Sequence, residues 1–343
     1  MSSIAEPTPA VARPPLARTD QQTSRDIRFG GIWLTGLAAA LAWAAASAYI
    51  AWWPGQEVMA DPTLLIRFTA AAAVILLAVS LIGTRAPTVL NAVEPIGPWF
   101  IALAVILIAW EAVTAKLGLL PRPFFSTPQG ILNVYFQDFP KLSESLLHSV
   151  RLLAIGYFVG GVLGFLTGIA IGWWKVAGYW LHPVLRFIGP LPATAWLPIA
   201  FFLFPSSFSA STFLVALASG VPVTILTWSG VAGVNKDYFD VARTMGASQR
   251  FLVWKVAVPA AMPHVFVGLF MGLGSAFAVL VVAEMLGVKA GLGWYLQWAQ
   301  GWAAYDNMYA ALALMAVMCS SLVTLLFFVR DRTLAWQKEL VRW

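Results

Sequence analysis

Charge is scarce in this chain. Only 10% of its 343 residues are Asp, Glu, Lys or Arg, against 60% hydrophobic. A soluble domain needs about 25% charged residues to solvate its surface, so a soluble fold is excluded. Cysteine is almost absent. The only thiol is that of Cys319, inside an apolar run. One thiol builds neither a disulfide framework nor a zinc site, and a small buried hydrophobe is its default role. No Gly-Lys dipeptide occurs, which excludes a Gly-rich phosphate loop of the Walker type. The three histidines, His148, His182 and His264, share no ligand spacing, which argues against a metal site, and no Ser/His/Asp or Cys/His set is present. The apolar runs are continuous rather than alternating, which excludes a membrane β-barrel. The net charge of +6 could suggest nucleic acid, but the basic residues are spread over several loops between apolar runs. The orientation rule for membrane proteins accounts for them better.

What is there is an all-α, polytopic transmembrane bundle. About 20 apolar residues cross a bilayer core, and eight segments qualify: 31–53, 64–83, 98–118, 146–172, 184–204, 210–232, 264–287 and 307–330. Polar residues or prolines interrupt 146–172 and 184–204. With the N-terminus in the cytoplasm, most of the 21 Lys and Arg fall on the inner side, among them Arg85, Lys175, Arg186, Lys236, Arg243, Arg250, Lys255, Arg330, Lys338 and Arg342. Both termini are then expected inside. Residues 1–29 read as a disordered cytoplasmic tail, and 336–343 as a short cytoplasmic one. The first apolar run continues through Trp53, too long for a secretory signal core, and reads as an uncleaved anchor.

Three features of the spans bear on function. Gly156, Gly160, Gly164, Gly168 and Gly172 recur every fourth residue, which makes one smooth helix stripe for close backbone approach. Static packing and a sliding surface both fit it. Pro183, Pro190, Pro192, Pro198 and Pro205 are too many for one regular helix. Broken backbone at membrane depth needs cover by protein or a water-filled cavity. Thr194 and Trp196 are therefore candidate pathway-lining residues, a kinked packing helix being the plainer alternative. Glu111 and Glu284 are carboxylates inside spans, functional candidates by default. Glu111, five residues from Lys116, fits a local ion pair or snorkelling; Glu284 is a third candidate for the pathway.

The most informative segment is polar and basic, between two apolar spans: residues 236–259. Asp237 could cap a short helix with Asp240 in its first turn. Gly246 suits the left-handed residue that stops it. Ser248 could cap a second helix reaching about Val256, with Pro259 and Pro263 ending the unit. The expected product is a helix–Gly–helix elbow. Its apolar residues Phe239, Val241, Met245 and Phe251 need cover, from the membrane surface or from a partner groove.

This segment resembles the EAA loop of ABC-importer permeases. Asp240-Val241-Ala242, Gly246, Val256, Val258 and Pro259 stand in register with that pattern, with Asp for Glu and Val for Ala, Ile and Leu. Pro190-Leu191-Pro192, Ala195-Trp196 and Pro198, then Ala283-Glu284-Met285 and Gly291-Leu292-Gly293, look like the nitrate/sulfonate/taurine/bicarbonate branch. The similarity covers about residues 98–335. Pro205-Ser206-Ser207-Phe208-Ser209 departs from the branch.

The resemblance implies a six-span permease core at 91–335, preceded by an extra two-span hairpin at 30–90 that has no counterpart in it. That hairpin is expected to stay off the pathway. Asp240, Ala242, Gly246, Ala247, Arg250 and Pro259 would form the ATPase-coupling loop. The implied partners are ABC ATPase subunits, an extracytoplasmic solute-binding protein and a second permease copy, as a homodimer in a bacterial inner membrane. No cofactor is expected in this chain, ATP and Mg being held by the ATPase. The substrate would be a small oxyanion, sulfonate or related compound. A stand-alone secondary transporter or channel is the alternative; it would need inverted repeats or paired membrane carboxylates, and neither is evident.

Overall fold

The computed structural model describes residues 28–29, 32–55, 61–82, 90, 92–120 and 123–337. The tail before residue 28, Arg85, Lys338 and Arg342 lie outside the described residues. The chain forms two compact units, one reaching Leu117 and one comprising Met59–Asp61 with Gly118–Trp343. Apart from a two-residue antiparallel pairing of Arg28–Phe29 with Ile32–Trp33, the described fold is an all-α helical bundle.

The first unit holds α1 (Leu34–Trp52), α2 (Thr63–Ile82) and α3 (Gly97–Glu111). Alanine lets these helices approach closely: Ala39 and Ala40 of α1, Ala73 of α2 and Ala104 of α3 are buried around Trp43. The Trp43 indole N–H donates to the Phe100 carbonyl at 3.0 Å. Trp33 is fully buried, and a Cβ on Gly36 would stand 2.0 Å from its ring, so only glycine fits there.

At the end of α3 a π-helical turn, Ala112–Lys116, carries Lys116 back beside Glu111, at 3.6 Å. Both side chains are buried. The Lys116 ammonium also donates to the carbonyl of Ile50, at 3.2 Å, and to that of Trp53. It thus caps the C-terminal carbonyls of α1, where a positive charge is favourable. Removing one partner of a buried ion pair takes away part of the compensation of the other charge. Lys116→Met is expected to cost about 3–5 kcal/mol, read as a lowered unfolding midpoint in detergent. The double change Lys116→Met with Glu111→Gln should recover most of that loss.

The second unit is built on three long helices, α5 (Phe139–Trp173), α8 (Ser207–Ala232) and α10 (Gln249–Gly287). The glycine stripe of α5 faces α8 along its whole length. Positions for a Cβ on Gly156, Gly164 and Gly172 fall within about 3 Å of Val215, Gly220 with Val223, and Val231. Residue numbers rise together on both sides of this seam, so α5 and α8 run parallel. Gly230 meets Ala261, and Gly272 meets Ser219, so α10 runs antiparallel to α8.

A parallel pair joined in sequence requires a return between its members. That return is α6 (Lys175–Ile188), a 3-10 turn at Ala193–Trp196 and α7 (Leu197–Leu203), bent by 90° at the break. The expected single span at 184–204 is therefore corrected. Gly189-Pro190-Leu191-Pro192 interrupts it: Gly189 keeps helical angles of φ −56°, ψ −45°, but Pro190 and Pro192 have no amide to continue the helix, and Pro192 turns the backbone extended at φ −61°, ψ 133°. The return covers the height between Phe208, near Arg151, and Trp173, which on α5 is roughly 30 Å at 1.5 Å per residue. Counted as one crossing, it makes eight among the described residues. The expected span at 146–172 lengthens to Phe139–Trp173.

The unit is completed by α4 (Pro128–Gln137), α11 (Leu292–Gly301) and α12 (Tyr305–Thr333). Its core gathers Leu152, Leu214, Val215, Ala276, Leu280 and Ala283. A second cluster, Ile131, Val134, Leu142, Tyr295, Ala310 and Ala311, closes the end of the bundle where α5 begins.

Candidate functional site

The segment 236–259 forms an elbow at the opposite end of the bundle, where α5 and α8 finish. Its first arm is α9 (Lys236–Thr244). The cap is Asn235 and not Asp237: the Asn235 side-chain oxygen accepts from the Asp237 amide at 3.1 Å. The helix begins two residues earlier than expected, which puts Asp237 in the first turn, where its charge still favours the positive helix end. The arm stops at Gly246, φ +81°. Two hydrogen bonds close it, from the Gly246 amide to the Arg243 carbonyl at 2.9 Å and from the Ala247 amide to the Ala242 carbonyl at 3.0 Å. This 6→1 and 5→2 pair is the Schellman stop, whose C′ position takes a left-handed residue. Ser248 then caps the second arm, accepting from the Phe251 amide at 3.4 Å.

The second arm does not end at the prolines. It runs on as α10 through a π-helical stretch, Leu252–Ala257, so that Pro259 and Pro263 lie within one continuous helix. A proline lacks the amide and crowds the carbonyl four residues back. The wider turn directly before Pro259 relieves that crowding. The elbow is in this way mechanically continuous with a membrane-length helix.

The two faces of α9 differ. Phe239 turns inward, its ring 5.5 Å from that of Trp173 at the end of α5, against a buried cluster of Ile169, Val231, Val253, Ala257 and Ala261. Tyr238, Val241 and Met245 turn outward at helical spacing, and Met245 is 84% exposed. Around them stand Asp240 and Arg243, paired at 3.3 Å but exposed, a pair that adds little stability. Asp240 and Arg250 are exposed, while Ala242, Ala247 and Pro259 are half-buried.

Glu284 lies at the other end of α10, fully buried. Its carboxylate accepts from the Ser149 hydroxyl at 2.7 and 2.8 Å and from the Gly293 amide at 2.9 Å. The Leu292 amide donates to the Ser149 oxygen at 2.8 Å. A carboxylate thus holds the first turn of α11 against α5. Gly291, φ +116°, permits this, since a Cβ there would stand 2.4 Å from the carboxylate. Glu284→Ala, which leaves two donors without their acceptor, should cost about 2–3 kcal/mol, measurable as earlier proteolysis around α11.

Two further contacts fix α11. The phenol of Tyr295 donates to Asp138 at 2.7 Å, and Asn307 donates to Asp138 at 2.9 Å. Burial, reinforced by Asp138 against the opposing Asn307 hydrogen bond, raises the Tyr295 pKa and keeps it a donor. The Lys141 ammonium lies 3.1 Å from the Trp298 ring centroid, a cation–π contact. None of Ser149, Asp138, Asn307 or Lys141 stands out in the sequence. Thr194 and Trp196, in the 3-10 turn at the bend, are half-buried, and Trp196 packs on the main core. Its indole nitrogen is buried without a hydrogen-bond partner.

Residues 160–335 match the family described as binding-protein-dependent transport system inner membrane component. The taurine transport system permease protein TauC of Escherichia coli is 30% identical, across 69% of this chain and 88% of that protein. The nitrate import permease protein NrtB of Synechococcus elongatus is 28% identical, across 72% of this chain and 90% of that protein. The putative aliphatic sulfonates transport permease protein SsuC of Bacillus subtilis is 28% identical, across 69% and 86%.

Proposed function

The chain belongs to the family of binding-protein-dependent transport system inner membrane components, and from that premise we propose that the elbow at 236–259 is where a separate ATPase drives transport. Membership makes the chain the membrane-spanning permease subunit of an ATP-driven importer, not an enzyme, with an ATPase and a solute-binding protein as its partners.

The observation that carries the proposal is the two-faced helix α9. Phe239 anchors it on Trp173 while Tyr238, Val241 and Met245 stay exposed beyond the bundle end. An apolar face ringed by charges fits a groove on a water-soluble partner. Asp240, Ala242, Gly246, Ala247 and Arg250 shape the docking arm, and Pro259 lies where the second arm becomes α10. Closure of two ATPase subunits around ATP and Mg would push the elbow, and the unbroken α10 would carry the push to Glu284 and α11. Two permease copies would line the pathway, in a bacterial inner membrane with both termini cytoplasmic. The solute would be a small oxyanion, sulfonate or related compound, in keeping with the relatives named for nitrate, taurine and aliphatic sulfonates.

The test is purification from native membranes. An ATPase should accompany the chain, and its hydrolysis should rise with solute-loaded binding protein. Met245→Asp with Val241→Asp should release the ATPase and leave the bundle folded. Retention of the ATPase by that variant would refute docking at the elbow.

A further inference from the structure

A groove of about 550 Å³ opens between α5, α6 and α8, and no charged residue lines it. Four hydroxyls face it, those of Thr167, Ser209, Thr212 and Thr224. Each has acceptors within the protein wall for its hydrogen, a carbonyl of its own segment in every case. Thr167 with Thr224, 3.0 Å apart, and Ser209 with Ser206, 2.9 Å apart, have a neighbouring hydroxyl as well. Thr167 donates to Leu163 at 2.7 Å and Thr224 to Gly220 at 2.8 Å. Thr212 donates to Phe208 at 2.7 Å and Ser209 to Ser206 at 2.8 Å. The walls therefore offer an anion lone pairs and apolar surface, not donors. A bare inorganic oxyanion would lose its hydration there and gain no partner.

The rim is different. The exposed guanidinium of Arg151 lies 5.6 Å from the ring centroid of Phe208, which lines the groove. Guanidinium presents a planar fork of donors matched to carboxylate-like heads. The volume suits an organic body: it equals many waters at about 30 Å³ each and falls in the range of small-molecule pockets.

We propose that this groove is a solute site for an amphipathic organic anion, an alkyl or aryl sulfonate or carboxylate whose apolar body fills the groove while its head meets Arg151. This rests on the permease reading and narrows its substrate class, setting bare nitrate-like ions aside for this site.

The test uses the full chain in lipid nanodiscs without other subunits, titrated with n-alkanesulfonates of two to eight carbons, with nitrate and with 1-hexanol, against empty discs. Binding should tighten about fourfold per added methylene until the groove is full, and nitrate should not compete. Arg151→Gln should weaken every sulfonate about tenfold or more and keep the per-methylene trend. Leu217→Trp, which fills the groove, should flatten that trend. Nitrate binding as tight as hexanesulfonate, 1-hexanol competing equally, or an unchanged trend in Leu217→Trp would each overturn the site. So would a co-purified phospholipid, seen by native mass spectrometry, that hexanesulfonate fails to displace. Flat binding in a chain that still supports ATP-driven uptake sinks only the groove. Failure to associate with any ATPase sinks the permease reading and leaves this series standing.

Discussion

Gly160→Ala is expected to disrupt the second unit, while Gly161→Ala, one residue along the same helix, is expected to be tolerated. A Cβ at position 160 would stand 2.2 Å from the Ser219 hydroxyl and 2.3 Å from the Ala216 carbonyl. Backbone oxygen cannot rotate away, so α5 and α8 must separate to admit the methyl group. Overpacking of this kind costs about 1–3 kcal/mol or more, and here it falls on the longest seam of the unit. At Gly161 the nearest atom is Leu269 Cδ2 at 3.5 Å, an ordinary contact, and alanine is a better helix former than glycine by about 1 kcal/mol. Unfolding midpoints and size-exclusion profiles of the two variants in detergent would compare like with like. Equal stability would remove the case that the seam is close-packed.

Gly246→Val should leave the bundle folded and abolish solute-stimulated ATP hydrolysis. Nothing lies within 4 Å of a Cβ at this position, so no clash within the chain opposes the substitution. The cost is conformational: φ of +81° disfavours an L-residue by about 1–2 kcal/mol, and more for a β-branched one. That energy suffices to undo the Schellman stop and swing α9 out of line with α10. Asparagine tolerates the left-handed region, so Gly246→Asn should retain part of the stimulation. The readout is the ratio of stimulated to basal hydrolysis in the assembled transporter. A Val variant as well coupled as the parent would mean that the bend angle does not matter.

The legible parts of this chain were those encoded locally. Long apolar stretches announce membrane-length helices, and a five-glycine stripe announces a close seam. Gly246 could be read as a left-handed stop because a single φ demands it. Local coding also explains the errors. Asn235 and Asp237 are both good caps two residues apart, and the choice depends on where α8 releases the chain. Pro259 and Pro263 look like stops because a π-helical turn that shelters them leaves no mark in the sequence. The bend at Gly189-Pro190-Leu191-Pro192 was visible as broken backbone, but its 90° angle follows from the need to return between parallel α5 and α8. Least legible were the ties between distant segments. Glu284 and Ser149 are separated by 135 residues, and Lys116 reaches carbonyls of Ile50 and Trp53 across two intervening helices. Backbone acceptors carry no residue signature, so such a tie appears only when the helices are assembled.

The central claim is that the elbow meets an ATPase from the cytoplasm. A cysteine at Met245, in a chain whose Cys319 is changed to serine, tests it in native membranes. The account predicts that Met245→Cys cross-links to the ATPase subunit, that solute-loaded binding protein and ATP change the cross-linking yield, and that an impermeant thiol reagent added outside intact cells does not block it. Labelling of Met245→Cys from outside, with no ATPase adduct, would contradict both the orientation and the coupling role of the elbow.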